Sequence, residues 1–313
     1  MKSKNTFGVK WLFLFITVLS LTILSNNVIC QNFFIKPYLS VDNGIKTDDM
    51  SYSTFDYDMY IDSTVGTQKL ASYKQSFGKG LSYGLAIEKP LTSSLFFELG
   101  LSYFKGKPSE YSIESFTTYV PNPAYHIDIT YTDIYDYRPI ILDVAIGYRK
   151  EFGKFALYGS SGINLSYGKL KLTQKTDVFN LIPGYLPFEH HTYIYEYNKR
   201  VQFGSRTSIG INYILSDRFS FFIEGRFLFK NISPTKSSLI SYDMNGNDWT
   251  DSLTVSQKQI EFVDSYDETQ NSNSNVPSKQ LRRSYSLSSY SILVGIRFKF
   301  PAVEKDVAYL NVN

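Results

Sequence analysis

Four acids, Glu88, Glu98, Asp143 and Glu224, and five bases, Arg149, Arg206, Arg226, Arg297 and Lys299, stand at alternate positions within runs that are otherwise apolar. Alternation puts them on one side of a sheet, opposite Leu, Ile, Val and Phe side chains. Acids and bases confined in a narrow space away from water should pair, because an unpaired buried charge is very costly. Such a set can do one of two things. It can plug an interior with a structural salt-bridge network, or it can line a gated polar path for protons or small solutes.

The remaining reactive residue types are sparse. His126, His190 and His191 are the only histidines, and all fall in expected loops. His190-His191 beside Glu189 could bind a metal, but no further ligand is in view. Asp48, Asp49, Asp56, Asp58 and Asp62 lack the Gly-turned spacing of a calcium loop and read as a solvated acidic loop. Cys30 is the only cysteine, so there is no disulfide framework or thiolate metal site. No histidine is expected on a strand, and no phosphate-binding glycine loop precedes a helix. No catalytic residue, cofactor or metal is therefore expected. Asp62-Ser-Thr and Asp251-Ser-Leu resemble short glycosylation sites of exported proteins.

The elements that must position the charged set read as strands joined by polar connections, with no amphipathic helix at a 3.6-residue period. In 219–230, Phe219, Phe221, Ile223, Phe227 and Phe229 share one face, and Ser220, Glu224, Arg226 and Lys230 share the other. Aromatic residues make up 17% of the chain, with 26 Tyr and 24 Phe. Their spacing is regular: Phe203 and Tyr213, Phe219 and Phe229, and Tyr290 and Phe300 each bracket ten residues on one face. Ten residues at about 3.3 Å, tilted by about 40°, rise roughly 25 Å, the height of the apolar band of a membrane-spanning barrel. Tyr103, Tyr148, Phe155, Tyr167 and Phe298 complete two candidate aromatic girdles. The other reading of these rings is the core of a soluble β-protein.

Connections alternate in length. Short turns are expected at 88–93, 150–154 and 215–218, and long polar connections at about 42–75, 106–137, 171–199 and 231–284. Three short turns and four long loops give eight strands. Both ends of the sheet then lie on the short-turn side, the periplasmic side of such barrels. The first strand, 33–40, contains Pro37 and is the least regular. Residues 110–120 and 125–134 could add two spanning strands around Pro121-Asn122-Pro123. Neither face of that hairpin is cleanly apolar, so it is expected to project beyond the membrane.

The N-terminus reads as a secretion signal, 1–30, with Lys2, Lys4 and Lys10 before an apolar run from Trp11 to Leu24. A lipoprotein reading of Cys30 would need small and Leu residues where Ile29 and Asn27 stand. The apolar run is too short for a comfortable transmembrane helix. Cleavage after Cys30 would remove those three lysines and no acid, taking the formal charge from +3 to zero, with 29 bases against 29 acids. A neutral chain has no electrostatic reason to bind nucleic acid. Domain organisation is thus a leader, a barrel over 31–300, and a periplasmic extension, 301–313.

The stretch from Tyr137 to Gly159, with Pro139, the 150–154 turn and a Gly-rich inner face, resembles the outer-membrane β-barrel domain family that includes PorT-like proteins. Gly295 to Phe300 resembles a barrel-closing strand, although thirteen residues follow it. The resemblance covers roughly 75–300. It implies a bacterial outer membrane location, an all-β up-and-down barrel and no shared catalytic residues. The implied partners are outer-membrane lipid and lipopolysaccharide, with protein or glycan ligands at the loops and a monomeric state. Three functions fit: surface binding or envelope integrity through the loops, a narrow channel or transporter for small or apolar solutes, and an accessory part in a secretion or envelope-assembly complex.

Overall fold

The structure, a computed structural model, describes residues 33–45, 64–68, 77–119, 126–180, 188–198, 200–265, 273–282 and 284–300. The expected leader, the lipoprotein alternative at Cys30, the acidic group Asp48 to Asp62, the Pro121-Asn122-Pro123 turn and 301–313 lie outside the described residues.

Eight strands close into a ring. They are β1 (Phe33–Gly44), β2 (Gly80–Pro90), β3 (Leu95–Gly106), β4 (His126–Phe152), β5 (Phe155–Asn180), β6 (Val201–Ile214), β7 (Phe219–Ile232) and β8 (Ser289–Phe300). Every strand pairs antiparallel with its predecessor, and β8 pairs with β1 to finish the circuit. Closure leaves no unpaired edge. At one end sit three short turns and the two ends of the ring, where Phe33 pairs with Phe300. Gly153 carries a φ of +61° in the two-residue β4–β5 turn, which a side chain at that position would oppose. In the other two turns a hydroxyl ties the corner. Thr92 Oγ1 accepts from the Leu95 N–H at 2.9 Å, and Ser216 Oγ accepts from the Phe219 N–H at 3.3 Å.

At the opposite end the long connections are not loops. β4 and β5 contain 27 and 26 residues. At about 3.3 Å per residue that is roughly 85–90 Å, against the 9–11 residues that cross a membrane. Their outer halves carry a second sheet. Ser109–Tyr119 and Thr64–Gln68 extend it on one side. Phe188–Tyr197, Lys236–Met244, Gln259–Val263 and Ser278–Leu281 extend it on the other. This corrects the expectation of polar loops over 106–137, 171–199 and 231–284. Those segments are rich in Tyr, Thr and Ile, which suit a pleated, half-exposed surface, and each neighbouring segment supplies hydrogen bonds. Residues 109–119 and 126–135 do pair as a hairpin, but the second limb continues straight into β4, so the ring count stays at eight.

The ring is apolar outside and polar inside. Leu157, Ile211, Ile223, Val294 and Leu39 form one laterally paired, exposed row across five strands. Inward positions carry the charges and four aromatic rings, each lying over a glycine: Tyr38 over Gly84, Phe96 over Gly147, Tyr158 over Gly210 and Phe222 over Gly295. A Cβ on any of these glycines would sit within 3 Å of that ring. The inner glycines thus create the room the rings fill. Gly147→Val should force Phe96 off its seat and cost about 1–3 kcal/mol, read as a lower urea midpoint in micelles; an unchanged midpoint would contradict this packing.

Candidate functional site: the charged interior and its aromatic cap

Strand alternation aims each charged residue inward, and ring curvature brings residues from distant strands together. The network has two centres. In the first, Glu88 on β2 binds Arg297 Nη2 at 2.8 Å and Arg149 Nη2 at 2.6 Å. In the second, Glu98 on β3 binds Arg206 Nη2 at 2.6 Å, and Glu224 binds Arg226 Nη2 at 2.9 Å on the same strand. Asp143 Oδ2 lies 3.5 Å from Arg206 and 3.4 Å from Arg226.

Lys36 joins the two centres. Its Nζ lies 2.6 Å from Glu98, 3.8 Å from Glu224 and 3.9 Å from Glu88. It also sits 4.8 Å from the Phe222 ring centre and 5.0 Å from that of Tyr158. Sequence reasoning missed Lys36 because it precedes Pro37 in the least regular strand. The alternation it shares with Tyr38, Ser40 and Asp42, all buried, was the signal that could have found it. Lys299, by contrast, was expected in the set. The structure leaves it half-buried near the short-turn end, its backbone N–H bonded to the Arg218 carbonyl, outside the two centres. It lies two positions past Arg297 on β8, toward the short-turn end, where it pairs with Phe34 in the ladder.

Above these layers the polarity falls. Lys230 Nζ donates to Asn164 Oδ1, and Asn164 Nδ2 donates to Asp143 Oδ1 at 2.7 Å. Ser40 and Ser82 hydroxyls donate to Asp42. Beyond them an apolar cluster, including Phe77, Phe104, Tyr137, Leu170, Tyr197 and Tyr285, stands at the base of the projecting sheet. It crosses the mouth of the ring. No sequence feature announced it, because its members come from scattered places: Tyr137 and Tyr197 from segments read as loops, Phe104 and Leu170 from the ends of ring strands, Phe77 and Tyr285 from just beyond the loops.

The expected aromatic girdle residues fall on the outer face. Tyr148, Phe155, Tyr213, Phe219 and Phe300 are exposed toward the short-turn end, with half-buried Phe298 packed between Phe219 and Phe300. Tyr167, Phe203, Phe229 and Tyr290 are exposed toward the other end, and half-buried Tyr103 packs on Tyr83. Phe203 is the most open of them, at 74% exposure.

His190 and His191 lie on the strand Phe188–Tyr197 rather than in a loop. His190 Nδ1 bonds Asp177, and its Nε2 lies 3.0 Å from Thr192 Oγ1. The order carboxylate, imidazole, hydroxyl matches a nucleophile relay. However, Thr192 lies on a strand paired on both sides, so neighbouring N–H groups are spent on ladders and none is free to cradle an oxyanion. His191 lies beside Tyr193 and Tyr242, which stack on each other at 4.4 Å, and its Nδ1 lies 2.9 Å from Tyr242 OH. Among the described residues no group of three or more His, Cys, Asp or Glu is placed to hold a metal. Farther out, Thr250 hydrogen bonds hold the Asp248 carboxyl below the usual carboxylate range.

No protein-family model and no curated protein matches the chain. Among solved structures it is similar to the outer membrane protein OprG from Pseudomonas aeruginosa, at 13% identity over 87% of this chain and 97% of that one, with a TM-score of 0.39. It is also similar to Acinetobacter baumannii CarO2, at 12% identity over 85% and 99%, with a TM-score of 0.31. The outer membrane protease OmpT from Escherichia coli overlaps at 12% identity over 87% and 97%, with a TM-score of 0.26. Likeness at this level transfers no residue's role to this chain.

The interior makes its own demand. Lys36→Met strips three carboxylates of a shared cation and should cost about 3–5 kcal/mol. Adding Glu98→Gln should recover part of that loss, giving a coupling that a double-mutant cycle of urea unfolding in micelles would read. Strict additivity of the two changes would contradict the hub.

Proposed function

We propose that the chain is a non-enzymatic β-barrel of the bacterial outer membrane. Its lumen is filled by side chains, and it acts through its projecting sheet in surface binding or envelope integrity. The observation that carries this is the inversion of polarity: an exposed apolar wall around a buried charge network. Each large apolar side chain left in water forgoes up to about 1.5–3 kcal/mol of burial. Over a whole wall the forgone burial is larger than the net stability of a domain, about 5–15 kcal/mol. Hydrocarbon against the wall recovers it. The aromatic rings at both ends suit the two lipid–water boundaries. The expected secretion signal and short turns favour a periplasmic short-turn end and an extracellular sheet.

The filled lumen favours a closed barrel over an open pore. Eight strands leave an interior just wide enough for side chains, and two charge layers lie below the apolar cap. A narrow channel or transporter is the second reading. It is favoured by buried polar atoms without a protein partner among the described residues, namely both side-chain polar atoms of Asn212, Tyr38 OH, Ser291 Oγ and the Nε atoms of Arg149 and Arg206, which suit water inside. The resemblance to PorT-like proteins supports the third, an accessory role in secretion or assembly.

Purified protein in planar bilayers should show no sustained current, and steady ohmic conductance would replace the plug with a channel. Recovery of stable partners from cross-linked envelopes would support the accessory role, whereas recovery as a lone species would count against it.

A further inference from the structure

The outer wall is not uniform. Over β8, β1, β2 and β3 it is hollowed into a groove of about 720 Å³, lined by Leu39, Leu85, Leu101, Tyr103, Val294 and Ile296 among others. Pro37 lies at the hollow. The β1–β8 ladder runs Ile35 to Phe298, skips Lys36 and Pro37, and resumes at Tyr38 to Gly295. Proline has no N–H to give that ladder.

Directly above the groove the same outward faces turn basic. Lys79 continues the face of Leu81, Tyr83 and Leu85. Lys105 and Lys107 continue that of Leu101 and Tyr103, and Arg138 continues that of Ile140. All four are exposed. Lys105 pairs laterally with Leu81, the Lys107 N–H donates to the Lys79 carbonyl at 2.7 Å, and Arg138 pairs with Lys169 on β5. Arg138 is shared with Asp136 and Lys169 with Glu196. No carboxylate of the described residues pairs with Lys79, Lys105 or Lys107. At the same end the outward positions of β1 and β7 are uncharged, Asn43 and Asn231.

We infer that this sector binds an anionic, multiply acylated lipid of the outer leaflet, with acyl chains in the groove and phosphate on the lysines above it. It rests on the membrane-spanning reading. Lys105 stands two positions beyond Tyr103, about 7 Å along a strand. Cations thus stand where a headgroup would lie if Tyr83 and Tyr103, whose rings are 5.3 Å apart, mark the boundary. Charge complementarity selects an anionic head, and the groove selects a lipid over free phosphate.

The test places the full chain in nanodiscs with bisphosphorylated lipid A, phosphatidylglycerol or phosphatidylethanolamine, and measures lipid retained through a detergent wash by mass spectrometry. Lipid A should be retained over phosphatidylglycerol. The Lys79→Gln, Lys105→Gln, Lys107→Gln triple variant should lose retention about tenfold or more. Leu101→Trp, which fills the groove and keeps the lysines, should lose it too. Heat-modifiable migration checks that each variant is folded. Equal retention of phosphatidylglycerol, or wild-type retention by the triple variant, would overturn the inference while leaving the membrane reading intact. Failure of the wild-type chain to enter bilayers would overturn the membrane reading itself.

Discussion

Charge that has left water must find opposite charge, and the interior of this ring is arranged around that requirement. Five buried carboxylates, of Asp42, Glu88, Glu98, Asp143 and Glu224, face six buried cations, of Lys36, Arg149, Arg206, Arg226, Lys230 and Arg297. They come from all eight strands except β5, which supplies instead Tyr158, whose hydroxyl donates to Glu224 at 3.0 Å, and Asn164. Apart from Glu224 with Arg226 on one strand, the pairs tie different strands together. Glu88 and Arg297 are 209 residues apart, and their bond crosses the lumen side of β1. A one-residue slip of any strand would turn that strand's charges toward the apolar exterior. The network thus specifies the ring as well as occupying it.

The aromatic rings and glycines serve the same end. Charges alone would leave gaps in a tube of this width. Phe96 and Tyr158 pack edge-on and give Arg149 a ring face at 4.9 Å, and Phe34 lies under Arg297. Above, polarity gives way to the apolar cap, and then to a sheet paired along both sides of the β4–β5 hairpin. The wall, the plug and the projecting sheet are one continuous hydrogen-bonded structure, joined through β4 and β5 and by the short links 106–109, 197–201 and 232–236.

Much of this was legible from sequence where period two is strict. Glu88, Glu98, Asp143 and Glu224 alternate with aliphatic residues, and their inward placement followed from the pleat. The ring count followed from the alternation of short turns with long connections. Three things were not legible. Lys36 was hidden by Pro37, whose exposed ring interrupts the ladder without turning the strand. Lys299 shared the right face but lay past the charged layers, a matter of height that alternation does not encode. Of the projecting sheet only the hairpin of 110–120 and 125–134 was expected; the rest was missed because both its faces are half-exposed, so Thr176 and Tyr193 show no apolar side to mark a strand. Histidines on that sheet were consequently assigned to loops.

The central claim is that the outward row meets hydrocarbon. Single cysteines placed at Leu157, Ile211 and Ile223 in a Cys30→Ser background, spin-labelled in bilayers, test it directly. The labels should be open to oxygen and closed to a polar nickel reagent, while a label at Asn245 on the projecting sheet shows the reverse. Labels at the outward row that are open to the nickel reagent, or closed to both, would place that row in water or in a protein interior and contradict the account.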